Sequence, residues 1–575
     1  MKFRLIILFF CFLSFCSKAQ TNIISTDSVA EQIMLGNYNP ATYAASTVLN
    51  QPDTISRGIN TRVSPDSLHA YLEKLRTFHN RNTGSDTVAS NNGIGAARRW
   101  VFSKFQQFSA QNQNRLIPSY LQFDYNICSI GQHRNILAVL PGLDTSDKSI
   151  IIIEGHLDSR CEDVCDTACL AQGMEDNGSG TALVLELARV MSRFSYNHTI
   201  LFMITTGEEQ GLYGAQAFAM YAQQKGIRIK GVLNNDVIGG IFCGHTSSAP
   251  SCPGFGDIDS TNVRLFSFGS FNSFHKGLAR FVKLEYKKMV LPYATVPMTV
   301  NIITQEDRTG RGGDHQPFRQ LNYPAIRFTA ANENGNANVT DTAYHDRQHT
   351  TRDTLGVDTH NNGIIDSFFI DFDYLARNAV INGNAAGMMG IGPKTPDFTL
   401  TTNGQDNLVI NITQQQYLIY RIGVRTTTND WDSVYTFTGS LNYTINNLPP
   451  AAYISVASAD SNGIESLFSE EKMTNVGVKA MNVLSGSVEL LQNAPNPADE
   501  ATTISVLVNN MPNYTDASIS VRDITGREVK RIPLKLKPGM NEVEYEHGYH
   551  MSGTFIYTLI IDGKPIQSKR MVFTN

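Results

Sequence analysis

Beyond its first twenty residues the sequence has no apolar run approaching the roughly 18 residues that a membrane-spanning helix requires, so a helical transmembrane segment is excluded there. It also lacks any block of like charges: 47 basic residues stand against 52 acidic ones, for a formal net charge of -5. That balance offers no footprint for nucleic acid or for an anionic membrane surface. Cysteine is sparse. Six remain past the N-terminal segment, Cys128, Cys161, Cys165, Cys169, Cys243 and Cys252, and their pairing does not follow from spacing alone.

What is present reads as an exported, multidomain protein. "MKFRLIILFFCFLSFCSKAQ" carries Lys2 and Arg4, an apolar run from Leu5 to about Cys16, and then Ser17-Lys18-Ala19. Residues 1–19 therefore read as a signal peptide. A lipoprotein with acylated Cys16 is the weaker alternative, because bulky Phe15 precedes it. Export makes disulfides the preferred reading of the cysteines, ahead of a thiolate metal site at Cys161-Cys165-Cys169. Cys243 and Cys252 flank a short Pro/Gly/Ser loop and are the easiest pair to join. The 575 residues exceed what one core serves, so about two to four domains are expected.

Residues 20–66 are polar and poorly periodic, as in a pro-segment or N-terminal arm. From Ser67 to about Phe108 the pattern is helical, with Leu68, Tyr71, Leu72 and Leu75 on one face. Short β-branched runs then alternate with helical patterns: "NILAVLPG", "SIIIIEGH", "HTILFMITTGEE", "IKGVLNNDVIG" and "YPAIRFTA" as strands, "SGTALVLELARVMSRF", "GAQAFAMYAQQKG" and "DSFFIDFDYLARNAVINGNAAGMM" as helices. That alternation predicts an α/β domain over 67–392, a mostly parallel sheet sandwiched by helices. Two all-β sandwich modules are expected after it, at 393–470 and 487–575, joined by a linker at 471–486. "NLPPAAYISVASADSNGIESLFS" resembles the end of a fibronectin type III module. "NAPNPA", "DITGREV" and "SGTFIYTLIIDG…SKRMV" resemble the C-terminal sorting domain of cargo for the type IX secretion system of certain Gram-negative bacteria. That resemblance implies type IX machinery as a partner, and a secreted or cell-surface location reached through the periplasm.

The chemistry lies between 154 and 353. "EGHLDSR" supplies His156 and Asp158, "MEDNGSG" Asp176, "TTGEEQG" Glu208 and Glu209, "NNDVIG" Asp236, and "RQHTTRDT" His349. Singly, each has a structural explanation: a hydrogen-bonded His-x-Asp pair, a helix N-cap at Asp176, a turn at Asp236. Together, five acids and two histidines fall at strand ends of one α/β pattern, where ligands bind in such sheets. So many carboxylates in one crevice repel unless cations intervene. Imidazole and carboxylate without thiolate suit zinc in an open site. The adjacent glutamates can point to different sides of a strand end, one to a metal and one to the reacting water.

"GHLDS", "EDNGSG", "TTGEEQGLYGA", "NNDVIG", "GGDHQPF" with "YPAIRF", and "HTTRDT" resemble, in order, the two-zinc aminopeptidases of the aminopeptidase S and Y type, metallopeptidase family twenty-eight. The resemblance implies that His156 and Asp236 bind one zinc, Glu209 and His349 the other, and that Asp176 bridges them. It implies Glu208 as general base toward water and the leaving amine, with Asp158 supporting His156. It implies peptide N-termini as substrate. The chain departs from the family in two places. "CEDVCDTACLAQGM" lengthens the gap from His156 to Asp176. Gln348 stands where relatives often have Tyr before the last His, the nearest Tyr-His being Tyr344-His345, so His345 is the reserve ligand. Asp314 and His315 match a pair that lies near the site in relatives, behind the ligands or in the substrate pocket. A glutaminyl cyclase with one zinc, a carboxypeptidase or dipeptidase, and an inactive surface adhesin are the alternatives. A calcium site at Asp257 and Asp259 competes with a simple turn there.

Overall fold

The computed structural model describes residues 20–243, 256–269, 272–308, 311–331, 347–402, 408–413, 417–426, 428–446, 452–474, 488–498, 501–512, 514–524, 526–546 and 553–574. The chain divides into two compact units, one holding the described residues up to 474 other than Asn446, and the other holding Asn446 and the described residues from 488 onward. No helix among the described residues is long and apolar enough to cross a membrane.

The first unit opens with β1 (Thr21–Ser25), α1 (Ser28–Met34) and α2 (Pro52–Arg62). Residues 20–66 are thus not a loose arm. β1 pairs antiparallel with a later strand, and Ile55 and Ile59 of α2 are fully buried. These few apolar positions, spaced one helical turn apart, are enough to dock a segment whose average polarity hides them. The helical region from 67 onward is two helices, α3 (Pro65–Arg76) and α4 (Gly93–Gln111). In the connection between them His79 and Gly93 take positive φ.

There follow β2 (Ile117–Ile127), β3 (Ile130–Leu140), β4 (Ile150–His156), α5 (Ser179–Met191), β5 (Thr199–Thr205), α6 (Tyr213–Lys225) and β6 (Ile229–Asn235). β7 (Asn262–Phe266), α7 (Phe274–Glu285), β8 (Thr299–Ile302), α8 (His315–Gln320) and β9 (Ala325–Ala330) come next. A two-stranded ribbon, β10 (Gly356–Val357) with β11 (Ser367–Phe368), precedes α9 (Phe372–Ile391). α9 starts later than its apolar run suggests, because Asp371 caps it, accepting from the Tyr374 N–H at 2.7 Å.

Nine strands form one sheet in the order β1-β2-β3-β5-β4-β6-β9-β7-β8. The expectation of a mostly parallel sheet holds only in part. β5-β4-β6-β9 at the centre and β7-β8 at one edge pair in parallel, whereas β1-β2-β3-β5 and β9-β7 pair antiparallel. The cause is local: β2 and β3 are separated by a two-residue turn in which Cys128 and Ser129 take positive φ, and so short a link admits only a hairpin. Helices cover both faces. Ile151 and Ile153 of β4 join the buried cluster that contains α2–α5, α7 and α9, while Ile150 and Ile152 join the one with α1, α6 and α8. A strand buried on both faces reads as a continuous apolar run, which is why "SIIIIEGH" shows no alternation.

The same unit continues into β12 (Phe398–Thr402), β13 (Leu408–Ile412), β14 (Ile419–Arg425), β15 (Ser433–Thr438), β16 (Asn442–Ile445), β17 (Ala452–Ala459) and β18 (Lys472–Thr474). These make a three-stranded sheet, β12-β13-β16, and a four-stranded sheet, β15-β14-β17-β18. The start of the expected linker is therefore strand: Lys472, Met473 and Thr474 pair with β17. Glu471 just before it lies between Arg280 of α7 and Arg425 of β14, at 2.7 and 2.5 Å.

The second unit holds β19 (Val488–Leu490), β20 (Ala501–Val508), β21 (Ala517–Asp523), β22 (Glu528–Pro533), β23 (Gly539–Glu546), β24 (Gly553–Ile561) and β25 (Lys564–Phe573). They form a three-stranded and a four-stranded sheet around one apolar core that includes Ile504, Val506, Ile519, Tyr557 and Leu559.

Candidate metal centre

The sheet delivers its functional side chains at the carboxyl ends of β5, β4 and β6. His156 is the last residue of β4, Asp236 follows β6, and Glu208 and Glu209 lie just past β5. Asp176 sits in the turn before α5, and His349 in the loop between β9 and β10. Asp176 is not the helix cap. Its neighbour Asn177 takes that work, its Oδ1 accepting from the Gly180 N–H at 2.8 Å, which leaves Asp176 to face the crevice.

Two triplets result, and they share a residue. His156, Asp176 and Asp236 place one ligand atom each within 4.8 Å of one another, and so do Asp176, Glu209 and His349. Asp176 spans both: Oδ1 is 3.2 Å from His156 Nε2, and Oδ2 is 3.0 Å from His349 Nε2. His156 Nε2 lies 3.4 Å from Asp236 Oδ1, and His349 Nε2 lies 3.1 Å from Glu209 Oε2. The two glutamates diverge, since Glu208 Oε2 turns instead toward His156 Nε2, at 3.9 Å. Gly207 at φ +77° makes the kink that separates them from the strand. Three non-glycine residues at the site also hold left-handed backbone, Leu212, Val237 and His349. Such strain persists where packing enforces it, and it gathers at functional sites.

Asp158 ties the parts together. Its carboxylate accepts from the backbone N–H of Glu208 at 3.3 Å and of Glu209 at 3.1 Å, and its Oδ1 lies 3.6 Å from His156 Nδ1. Asp353 acts likewise on the bridging residue, accepting from the N–H of Glu175 at 2.8 Å and of Asp176 at 2.9 Å. The Thr205 hydroxyl lies within hydrogen-bond reach of both Asp314 Oδ2, at 2.5 Å, and Glu154 Oε1, at 3.1 Å. Asp314 and His315 are buried and do not line the cavity, so of the two places expected for them they take the one behind the ligands.

Crowded charge marks the centre. Burial pushes the Glu208 carboxyl well above the usual range, His156 pulls it back, and Asp236, Asp314 and Glu209 push it further. Burial disfavours the His156 imidazolium, yet Glu208, Asp158, Asp176 and Asp236 hold its pKa well above the ordinary value. His349 is raised against its burial by Glu209 and Asp176. Burial raises Asp176, but the two imidazoles more than reverse that and hold it well below the usual range. Glu209 Oε1 is buried with no hydrogen-bond partner among the described residues. An oxygen left so, within a donor set of only imidazole nitrogen and carboxylate oxygen, fits a divalent ion of the zinc type.

The cysteines are settled as bridges rather than ligands: Cys128 pairs with Cys165, and Cys161 with Cys169. Cys243 is also disulfide-bonded, while Cys252 lies outside the described residues. Tyr344 and His345 lie outside them too. Asp259 makes a turn, its Oδ1 accepting from Thr261 and Asn262 N–H groups at 3.1 and 3.0 Å. Sequence reading missed four arginines that line a cavity of about 380 Å³ over the centre, Arg160, Arg308, Arg311 and Arg327. No periodicity or motif groups them. It also missed Arg81, fully buried, which donates to the Leu157 and Gly173 carbonyls at 2.8 and 3.0 Å and so fixes both ends of the cysteine-bearing loop.

Gly180 shows how tightly the turn is built. A Cβ there would stand 2.2 Å from the Asn235 carbonyl oxygen and 2.5 Å from Asn177 Oδ1. Gly180→Ala is expected to destabilise the protein by about 3 kcal/mol or more, since backbone must move to admit it. Thermal unfolding of the variant against the parent checks this.

A model of peptidase family M28 matches residues 135–368. A probable zinc metalloprotease of Leptosphaeria maculans is 30% identical over 369 residues, covering 62% of this chain and 81% of that protein. Among solved structures, the LapA aminopeptidase of Legionella pneumophila aligns over 61% of this chain and 78% of its own at 17% identity, with a TM-score of 0.42. A glutaminyl cyclase from an Acidobacteriales bacterium aligns over 60% and 97% at 17% identity, with a TM-score of 0.39. With the family match over the strands and loops that carry the centre, and a relative of this identity and coverage, the chain belongs to peptidase family M28.

Proposed function

We propose that this is an exported, two-zinc aminopeptidase that removes residues from peptide N-termini. The observation that carries the reading is Asp176, whose two oxygens each face a different histidine. A single-metal site has no use for a carboxylate placed that way. His156, Asp176 and Asp236 would hold one ion, and Asp176, Glu209 and His349 the other. When bound, the ions supply Lewis acidity toward the scissile carbonyl and lower the pKa of the attacking water. Glu208 receives the proton of that water on its carboxylate and returns it to the leaving amine. Asp158 keeps Glu208 and Glu209 apart through their backbone N–H groups, so that one carries protons while the other binds. The signal peptide at 1–19 and the sorting-domain resemblance at 487–575 support passage through the periplasm to the surface or medium by the type IX route.

Elemental analysis of the purified protein should find two zinc ions per chain. Stripping them with a chelator should abolish hydrolysis of aminoacyl-nitroanilides, and added zinc should restore it. One ion per chain, with pyroglutamate formed from N-terminal Gln, would replace this reading with the cyclase.

A further inference from the structure

In the connection between α3 and α4, three consecutive residues, Asn80, Arg81 and Asn82, are buried, and the side chains of all three donate to carbonyls of the segment 157–173. The asparagines take its middle: Asn80 Nδ2 reaches the Cys169 carbonyl at 3.0 Å, and Asn82 Nδ2 the Val164 carbonyl at 2.9 Å. Arg81 takes its ends. Its Nε donates to the Leu157 carbonyl at 2.8 Å, its Nη2 to that of Gly173 at 3.0 Å, and its Nη1 to that of Gln172. Leu157 directly follows His156, and Gly173 stands three residues before Asp176. One planar side chain thus spans the two backbone segments that carry His156 and Asp176, members of the same triplet.

Neutral donors suffice to satisfy carbonyls, and burying a cation for that purpose alone is costly. The surroundings supply the reason for a charge. Burial lowers the Arg81 pKa to about 10, while Asp353, Asp158, Asp176 and Glu209 act against that fall, so the guanidinium stays charged at neutral pH. Asp158 and Asp353 belong to neither triplet, yet each holds ligand-bearing backbone through two N–H groups. Arg81 is a fixed cation for these carboxylates, and it does not line the cavity where substrate would lie. We infer that Arg81 is a positioning residue of the centre: by locking the Leu157 and Gly173 carbonyls to one guanidinium it sets the separation of His156 from Asp176, and with it the sharing of Asp176 between two ions. This inference rests on the two-zinc peptidase reading above.

The test sets Arg81→Lys against Arg115→Lys in the full chain. Arg115 is the structural control. It too is buried and donates to three carbonyls, those of Tyr43, Ser192 and Phe194 at 3.0, 3.2 and 3.0 Å, but at the far end of α5 from Asp176. Lysine keeps the charge in both variants and loses the planar fork. Both should lower the melting temperature. Only Arg81→Lys should shift the visible spectrum of the cobalt-loaded protein, and only it should weaken the second zinc equivalent, by about tenfold or more in competition with a chromophoric chelator. Its kcat on an aminoacyl-nitroanilide should fall by about 10–100-fold, with KM near the parental value because the cavity lining is untouched. Ser159→Ala is the milder second variant: it frees the Arg81 backbone N–H, now 3.2 Å from Ser159 Oγ, and leaves the guanidinium in place. It should move the same readouts in the same direction. Parental spectrum, zinc affinity and kcat in Arg81→Lys, or in Ser159→Ala should Arg81→Lys fail to fold, would overturn the inference. A parent that hydrolyses no peptide, while Arg81→Lys still weakens its second metal, would overturn the peptidase reading and leave the positioning role standing.

Discussion

Glu208→Gln is expected to lower turnover of an aminoacyl-nitroanilide by about 10²–10⁴-fold, the usual contribution of a general base. Zinc content should remain at the parental level, because the change touches none of the five residues in the two triplets. Glutamine has the shape of glutamate and can still hydrogen-bond, but it cannot take up a proton. The side chain is suited to proton traffic by its surroundings: it is mostly buried and 3.9 Å from His156 Nε2, with Asp158 pinning its backbone. Burial, with Asp236, Asp314 and Glu209 as like-charged neighbours, favours its protonated form. Glu209→Gln separates the two glutamates, since it should lower bound zinc as well as rate. Unchanged turnover in Glu208→Gln would remove the proton carrier from the mechanism.

The largest effect on stability is expected away from the centre, at Glu471. Its carboxylate accepts from Arg280 at 2.7 Å, from Arg425 at 2.5 and 2.6 Å, and from the Asn272 N–H at 2.8 Å. Arg280 and Arg425 are 1% and 3% exposed, so Glu471→Ala strands two guanidiniums out of water. Removing one member of a buried ion pair costs about 3–5 kcal/mol. The melting temperature should fall accordingly, while Arg280→Met in the Glu471→Ala background should recover part of the loss. The pH dependence has a definite sign. Burial raises the Glu471 pKa, but the Arg425 hydrogen bonds and the charges of Arg280 and Arg425 hold it below the ordinary carboxylate value. A carboxylate depressed in the folded state contributes stability that is present above its unfolded pKa, about 4.3. That contribution is lost as pH falls below this value and through the folded pKa. The gap in melting temperature between parent and Glu471→Ala should therefore narrow in acid. A gap that stays constant from neutral pH to pH ~3 would deny the pair its role.

Much of the centre was legible because ligand chemistry and strand ends are local properties. His156 closes a run of four isoleucines, Asp236 follows a buried strand, and the two glutamates follow another, so each could be placed without knowing the fold. The α/β pattern was legible for the same reason, through β-branched runs alternating with helical periods. The N-terminal segment was not: Ile55 and Ile59 are too few to lift a polar stretch above its average, and only the surface they bury against reveals them. Strand direction was misread for β1-β2-β3-β5 and for β7 against β9. The apolar pattern of a strand is the same whichever way its neighbour runs, and only the length of the connection distinguishes the cases.

The sequence by itself determined the donors, all imidazole and carboxylate, and their order along an alternating strand and helix framework. It also fixed which glycine-rich turns would carry them. Tertiary structure alone decided that Asp176 faces two histidines at once, that Glu208 and Glu209 part company, and that four arginines meet over the centre. Those facts concern distances between residues as far apart as Arg160 and Arg327, which no local pattern encodes. They arise because parallel neighbours in a sheet deliver their carboxyl ends to one edge, and the loops beyond that edge have nowhere else to converge.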